Sequence, residues 1–76
     1  MKADATLDCL GLYCPMPIAK TREKIKDLRI GEVLEIISDD EGIKEDMPAW
    51  CKNTGNEFLR IEEREGECRV YVKRLK

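Results

Sequence analysis

The sequence contains no histidine and no glutamine. Without imidazole, Cys-His nucleophilic pairs, Ser-His-Asp triads, two-His metal sites and imidazole acid–base catalysis are excluded. Low glutamine beside abundant Glu, Lys and Arg fits a heat-adapted protein, although the four cysteines count against that reading. No apolar run approaches the ~20 residues of a membrane-spanning helix. Met1-Lys2-Ala3-Asp4 lacks the apolar core of a signal peptide, so a cytoplasmic protein with no membrane partner is expected. An excess of one charge is missing too: 14 basic residues meet 16 acidic ones, for a net charge of −2. Phosphate recognition draws on a basic face, so direct nucleic-acid binding is not expected.

What is present is a short, charge-rich globular sequence. Its 76 residues suit a single domain, 1–76, and 42% hydrophobic content is too high for a disordered chain. A domain of this size buries only about 60% of its unfolded surface, so its stability is expected to be modest. The four cysteines are Cys9, Cys14, Cys51 and Cys68. A cytoplasmic setting keeps them reduced. Structural zinc usually pairs its thiolates as C-x2-4-C, whereas here only Cys9 and Cys14 are close, with four residues between them. There is no C-x-x-C pair. No metal and no cofactor are expected; four thiols of unequal environment remain.

Periodicity places the elements. Residues 5–10 read as a first strand, with Leu7 and either face open to Cys9, and Gly11 ends it. Residues 15–28 read as a helix with Ile18, Thr21, Ile25 and Leu28 on one face and Gly31 as the stop. Val33-Leu34-Glu35-Ile36-Ile37 suits a central strand within 32–38. Ile43, Met47, Trp50, Cys51 and Thr54 recur at helical spacing up to Gly55, with Pro48 in the first turn or at a kink. Phe58–Ile61 is a third strand, Glu65-Gly66-Glu67 a hairpin turn, and Cys68–Lys73 a fourth strand; the basic tail to Lys76 is expected to fray. The order β-α-β-α-β-β, with a right-handed parallel crossover and a terminal hairpin, predicts an α/β (α+β) two-layer sandwich: a four-stranded mixed sheet with two helices on one face.

One segment carries chemistry: Asp8-Cys9-Leu10-Gly11-Leu12-Tyr13-Cys14-Pro15-Met16-Pro17. Proline is tolerated at a helix start, where backbone N–H groups lack partners anyway. Pro15 and Pro17 stiffen the turn, and Pro15 pushes Cys14 out of the α region. Cys14 is thereby presented at the positive end of a helix. Lowering its pKa from ~8.5 to ~7 would raise the thiolate fraction from about 3% to about half. Intrinsic nucleophilicity would fall roughly fivefold, leaving a gain of only about threefold. Positioning of the sulfur, with mild stabilisation of an anionic sulfur species, is therefore the better reason for the geometry. The plain alternative is a small buried cysteine beside prolines that merely begin a helix. Asp8 is expected to shape the turn by accepting backbone N–H groups, and Gly11 by allowing unusual φ.

This segment, Leu7 to Ile18, resembles the signature of the small sulfur-carrier proteins of the TusA (SirA, YedF-like) family. Asp46-Met47-Pro48-Ala49-Trp50-Cys51 followed by Thr54-Gly55 is similar to that family's second helix. The resemblance implies a fold like the C-terminal domain of a translation initiation factor. It implies that Cys14 accepts sulfane sulfur as a persulfide from a cysteine desulfurase or rhodanese-like donor. It implies onward transfer to a sulfur-relay protein or thiolation enzyme, such as one serving tRNA thiolation, by a carrier rather than a stand-alone enzyme. Two other readings stay open: an RNA- or protein-binding module using the sheet, its RNA form disfavoured by the net charge of −2 and by one exposed strand aromatic at most, Tyr71, and a redox protein pairing Cys9 with Cys14. Cys9 either packs in the core or acts as a secondary thiol. Cys51 and Cys68 fall in phase with core positions. Trp50 either anchors the core or contacts a partner, and Asp46 either caps the turn at Pro48 or contacts a partner. Asp39-Asp40-Glu41 reads as a solvated turn with helix-start charge.

Overall fold

Alternating apolar residues decide which face of each strand is buried. The computed structural model describes residues 2–13 and 15–76. Its elements are β1 (Ala5–Asp8), α1 (Met16–Ile25), β2 (Val33–Ser38), α2 (Ile43–Thr54), β3 (Glu57–Arg64) and β4 (Glu67–Lys73). The sheet order is β1-β2-β4-β3; β1 runs parallel to β2, and β4 runs antiparallel to both its neighbours. Leu34, Ile36 and Ser38 of β2 stand opposite Val72, Val70 and Cys68 of β4, and all six are buried beneath the helices. Ile25, Ile43, Met47 and Cys51 close this core from the helix layer. The expected element order and two-layer architecture are what the chain adopts.

The boundaries differ in instructive ways. β1 stops at Asp8, two residues early, because the Asp8 Oδ1 atom accepts the Leu10 N–H (2.9 Å) and starts a turn. α1 begins at Met16 and ends at Ile25 rather than spanning 15–28. Its last turn tightens, with Asp27 and Leu28 donating to the carbonyls three residues back (3.0 and 3.1 Å), and this still buries Leu28. Gly31, at φ +96°, is not the helix stop but part of the turn leading into β2. Pro48 lies in the second turn of α2, not the first, and deprives the Lys44 carbonyl of its helical donor. β3 runs to Arg64, well past Ile61, because pairing with β4 continues to the Arg64–Glu67 pair. A bulge at Leu59 lets Phe58 and Ile61, three residues apart, both pack on the core. Glu65 and Gly66, both at positive φ, make the two-residue turn.

The tail is held rather than frayed. The Arg74 guanidinium donates to the carbonyls of Ile25, Lys26 and Leu28, capping the unpaired C-terminal end of α1. The Arg74 carbonyl accepts the Gly31 N–H (2.6 Å), and the Asn56 side chain accepts the Leu75 N–H (3.0 Å).

The face of the sheet away from the helices carries a polar network. The Tyr71 hydroxyl lies 2.7 Å from Glu35 Oε2 and 3.2 Å from Glu62 Oε1. Thr6 (3.0 Å) and Arg69 (3.3 Å) also donate to Glu35, and Arg60 pairs with Glu62 (2.9 Å). Tyr71 is therefore buried, only 3% exposed, so the one strand aromatic the sequence left open to exposure is covered. Burial pushes the Glu35 carboxyl up, but the hydrogen bonds from Tyr71, Thr6 and Arg69 and the charge of Arg69 outweigh it, so its pKa is lowered. The hydrogen bond to Glu35, then burial and the charges of Glu35 and Glu62, push the Tyr71 phenol up to about 12.

Two predictions follow from this fold. Arg74→Ala removes the donor of three carbonyls and should lower unfolding free energy by about 1–3 kcal/mol in urea titrations, with Arg74→Lys recovering part of it. Stability should also be lost at both pH extremes. Glu35, lowered in the fold, stabilises above its ordinary value of 4.5 and loses that contribution as pH falls. Tyr71, raised from 10.0 to about 12, stabilises below its ordinary value and loses that contribution as pH rises between the two. Urea midpoints measured across pH should fall on both sides of a plateau, and Glu35→Gln and Tyr71→Phe should flatten the acid and alkaline limbs respectively.

Candidate functional site

Parallel pairing brings the C-terminal ends of β1 and β2 to one end of the sheet, where Asp8 stands beside Ile37. Each strand then leads toward a helix that starts at that same end. The loop after β1 and the acidic turn after β2 therefore lie side by side, the arrangement that makes strand ends in α/β folds common functional sites. The Cys9 N–H donates to the Ile37 carbonyl (2.7 Å), extending the pairing one residue into the loop. The Leu12 N–H then turns back to the Cys9 carbonyl (3.1 Å).

Asp8 and Gly11 hold the loop in the way their residue types suggest. Asp8 accepts the Leu10 N–H, and Gly11 adopts φ +79°, a region that a side chain disfavours. The Gly11 N–H donates across the sheet end to Asp39 Oδ1 (3.1 Å), a residue 28 positions later. Sequence reasoning treated Asp39 as a solvated turn charge. The only available signal was its place just beyond a strand expected to pair in parallel with the first.

Pro15 is the residue flanking the helix (φ −96°, ψ 13°), and Pro17 occupies its second position, buried. The Pro15 carbonyl accepts the Ala19 N–H (3.0 Å), and the Met16 N–H donates to the Tyr13 carbonyl (2.8 Å). Neither proline has an N–H, and that of Met16 is taken, so this helix start has few backbone donors to offer an anion. Cys14, the expected sulfur-bearing residue, lies outside the described residues. On the chain around it Leu10, Tyr13 and Met16 are exposed, Tyr13 to 73%.

Cys9, Cys51 and Cys68 are free thiols buried in the core. Cys9 thus occupies the packing position rather than a surface one. Burial first, then the charge of Asp8, raises its pKa against a lowering by Lys20. Burial pushes the Cys51 thiol up to about 11. Burial, with the charges of Glu63 and Glu41 against that of Lys44, raises Cys68. All three are thereby held in the unreactive thiol form at neutral pH.

Asp46 sits in the first turn of α2, its N–H donating to the Gly42 carbonyl (2.9 Å); Gly42, not Asp46, flanks the helix start. Asp46 lines a narrow crevice with Pro17, Ile18, Asp40 and Ile43, so it lies close to the α1 start. Trp50 is half-buried against the core from the outer part of α2. The structure thus brings Asp8, Gly11, Pro15, Pro17, Asp39 and Asp46 to one end of the molecule, and keeps Cys9 beneath them in the core. Among the described residues, no group of three or more His, Cys, Asp or Glu side chains is placed to hold a metal ion. No helix among them is long and apolar enough to cross a membrane.

Comparison with known proteins agrees with this geometry. A family model described as sulfurtransferase TusA matches residues 5–74. YrkF of Bacillus subtilis is 55% identical over 67 residues, which cover 88% of this chain but only 36% of that protein, so the chain spans little more than a third of YrkF's length. The sulfur carrier protein TusA of Pseudomonas syringae pv. syringae is 31% identical over 74 residues, covering 97% of this chain and 88% of its own. The crystal structure of a SirA-like protein from Desulfitobacterium hafniense superposes with a TM-score of 0.75 at 23% identity, over 95% of this chain and 99% of that one, which establishes the shared fold. The match across residues 5–74, with the Cys-Pro-x-Pro motif between two parallel strands, shows that the chain belongs to the TusA sulfurtransferase family.

Proposed function

We propose that this protein is a sulfur carrier that holds sulfane sulfur as a persulfide on Cys14. The observation that carries the reading is that Cys9, Cys51 and Cys68 are buried with raised pKa values, which leaves the cysteine of the Cys-Pro-x-Pro motif, Cys14, as the candidate sulfur-bearing thiol. In the transfer, the Cys14 thiolate attacks the terminal sulfur of a donor persulfide. The donor's S–S bond breaks as the new one forms, the donor leaves as a thiolate, and Cys14 becomes the persulfide. Sulfur changes hands with no net oxidation, so no cofactor is required. The reverse polarity of the same step delivers sulfur to an acceptor thiolate. Because Pro15 and Pro17 contribute no N–H groups, a persulfide anion here would find few backbone donors, which favours release over storage.

The donor fits the class of cysteine desulfurases or rhodanese-like proteins, and the acceptor a relay protein or thiolation enzyme, in a reducing cytoplasmic setting. Burial of Tyr71 adds to the case against an RNA-binding reading, and burial of Cys9 weighs against a Cys9–Cys14 redox pair.

Incubation with a cysteine desulfurase and cysteine, followed by intact-protein mass spectrometry, should add one sulfur atom to the wild type and none to Cys14→Ser. Uptake of sulfur by Cys14→Ser would refute the assignment. Cys51→Ala and Cys68→Ala should load normally but unfold at lower temperature, as buried-side-chain losses do.

A further inference from the structure

The loop between β1 and α1 is held by hydrogen bonds along its length, among them the Leu10 N–H to Asp8 and the Leu12 N–H to the Cys9 carbonyl described above. At its start, the Cys9 N–H bonds to the Ile37 carbonyl; at its end, the Met16 N–H bonds to the Tyr13 carbonyl. In its middle Gly11 faces open space, since a side-chain carbon placed there would meet nothing within 4 Å, while its neighbour Leu12 packs against the core. What ties Gly11 to the turn after β2 is its N–H donating to Asp39 Oδ1 at 3.1 Å. Asp39 in turn stands on a fixed base. It follows the fully buried Ser38, whose hydroxyl accepts the Asp40 N–H (3.1 Å), and the Asp40 side chain accepts the Gly42 N–H (3.1 Å).

We infer that Asp39 is a positioning residue for sulfur transfer, fixing the loop that carries Cys14 in the orientation a protein donor must meet. The inference rests on the carrier reading above and adds the element that sets docking geometry. Asp39 touches neither sulfur nor donor in this account; it acts through Gly11. The bond is exposed, so the core does not depend on it. Its loss lets the exposed stretch around Gly11 take further orientations while Leu12 stays packed, and a partner that needs one of them sees its apparent affinity reduced by the fraction that remains competent. A small sulfur donor, which needs only a reachable thiolate, is indifferent to that fraction.

The test compares two donors on wild type, Asp39→Ala and Asp39→Asn. With a cysteine desulfurase and labelled cysteine, Asp39→Ala should raise the KM for the carrier about fivefold to tenfold, the scale of one lost hydrogen bond, with kcat within about twofold. Loading by sodium tetrasulfide should stay within about twofold of wild type. Asp39→Asn keeps an acceptor oxygen and should restore the desulfurase KM. An unchanged KM in Asp39→Ala, an equal slowing with both donors, or a failure of Asn to restore overturns the positioning role; equal slowing with a lowered melting temperature identifies a purely structural one. Cys14→Ser run in parallel separates the two levels. If it takes up sulfur, the carrier assignment falls and this inference with it; if it does not, the Asp39 results judge the inference alone.

Discussion

The parallel pairing of β1 with β2 is the constraint on which the site depends. Parallel strands cannot be joined by a tight turn, so the chain must cross the sheet through a helix before returning. That crossover is α1. Because the two strands point the same way, the loops that leave them emerge at one end, and the Cys9–Ile37 bond sets their relative height. Had the pairing been antiparallel, Asp8 and Ser38 would lie at opposite ends, and Gly11 could not reach Asp39. The proximity of residues 28 positions apart is thus a product of strand direction before it is a product of any side chain.

Around this frame the chain divides its labour between two faces. The helix-covered face is apolar and holds three of the cysteines, whose thiols are driven toward the neutral form by burial. The opposite face is a charge network around Glu35 and Tyr71, with its polar groups answered from neighbouring strands. Part of the high, balanced charge content is spent on pairing within the molecule, such as the Lys44–Glu63 bridge (2.6 Å) between α2 and β3. The motif end has neither character in full. It combines exposed Leu10, Tyr13 and Met16 with the carboxylates of Asp8, Asp39 and Asp46, a mixture suited to transient contact with another protein.

Most of the fold was readable because apolar period and turn chemistry agreed. The strict alternation of Cys68, Val70 and Val72, the Gly66 turn and the Gly55 helix end each pointed to one answer. The misreadings came where a contact distant in sequence overrides local pattern. Charged residues 62–64 look like loop until their pairing with β4 is known, and Tyr71 looks exposed until carboxylates from β2 and β3 close over it. Arg74 reads as frayed tail because nothing local announces the three carbonyls some 46 to 49 residues earlier that it caps. At the site, Asp8, Gly11, Pro15 and Pro17 declared themselves through their own backbone chemistry. Asp39 did not, since its role exists only once the two strands are side by side.

The strand order has a temporal consequence for a chain made from its N-terminus onward. β4, the last of these four strands to be synthesised, lies between β2 and β3, which pair with it and not with each other. Until residues 67–73 have emerged, β1 and β2 form at most a two-stranded ribbon, a unit of marginal stability, with the apolar sides of Leu34 and Ile36 uncovered by their partners. The sheet is therefore completed by insertion at its centre rather than by growth at an edge. A chain interrupted before β4 would carry the whole Cys-Pro-x-Pro segment yet lack the sheet that gives it a place to stand, which makes emergence of β4 a precondition for an ordered sheet end.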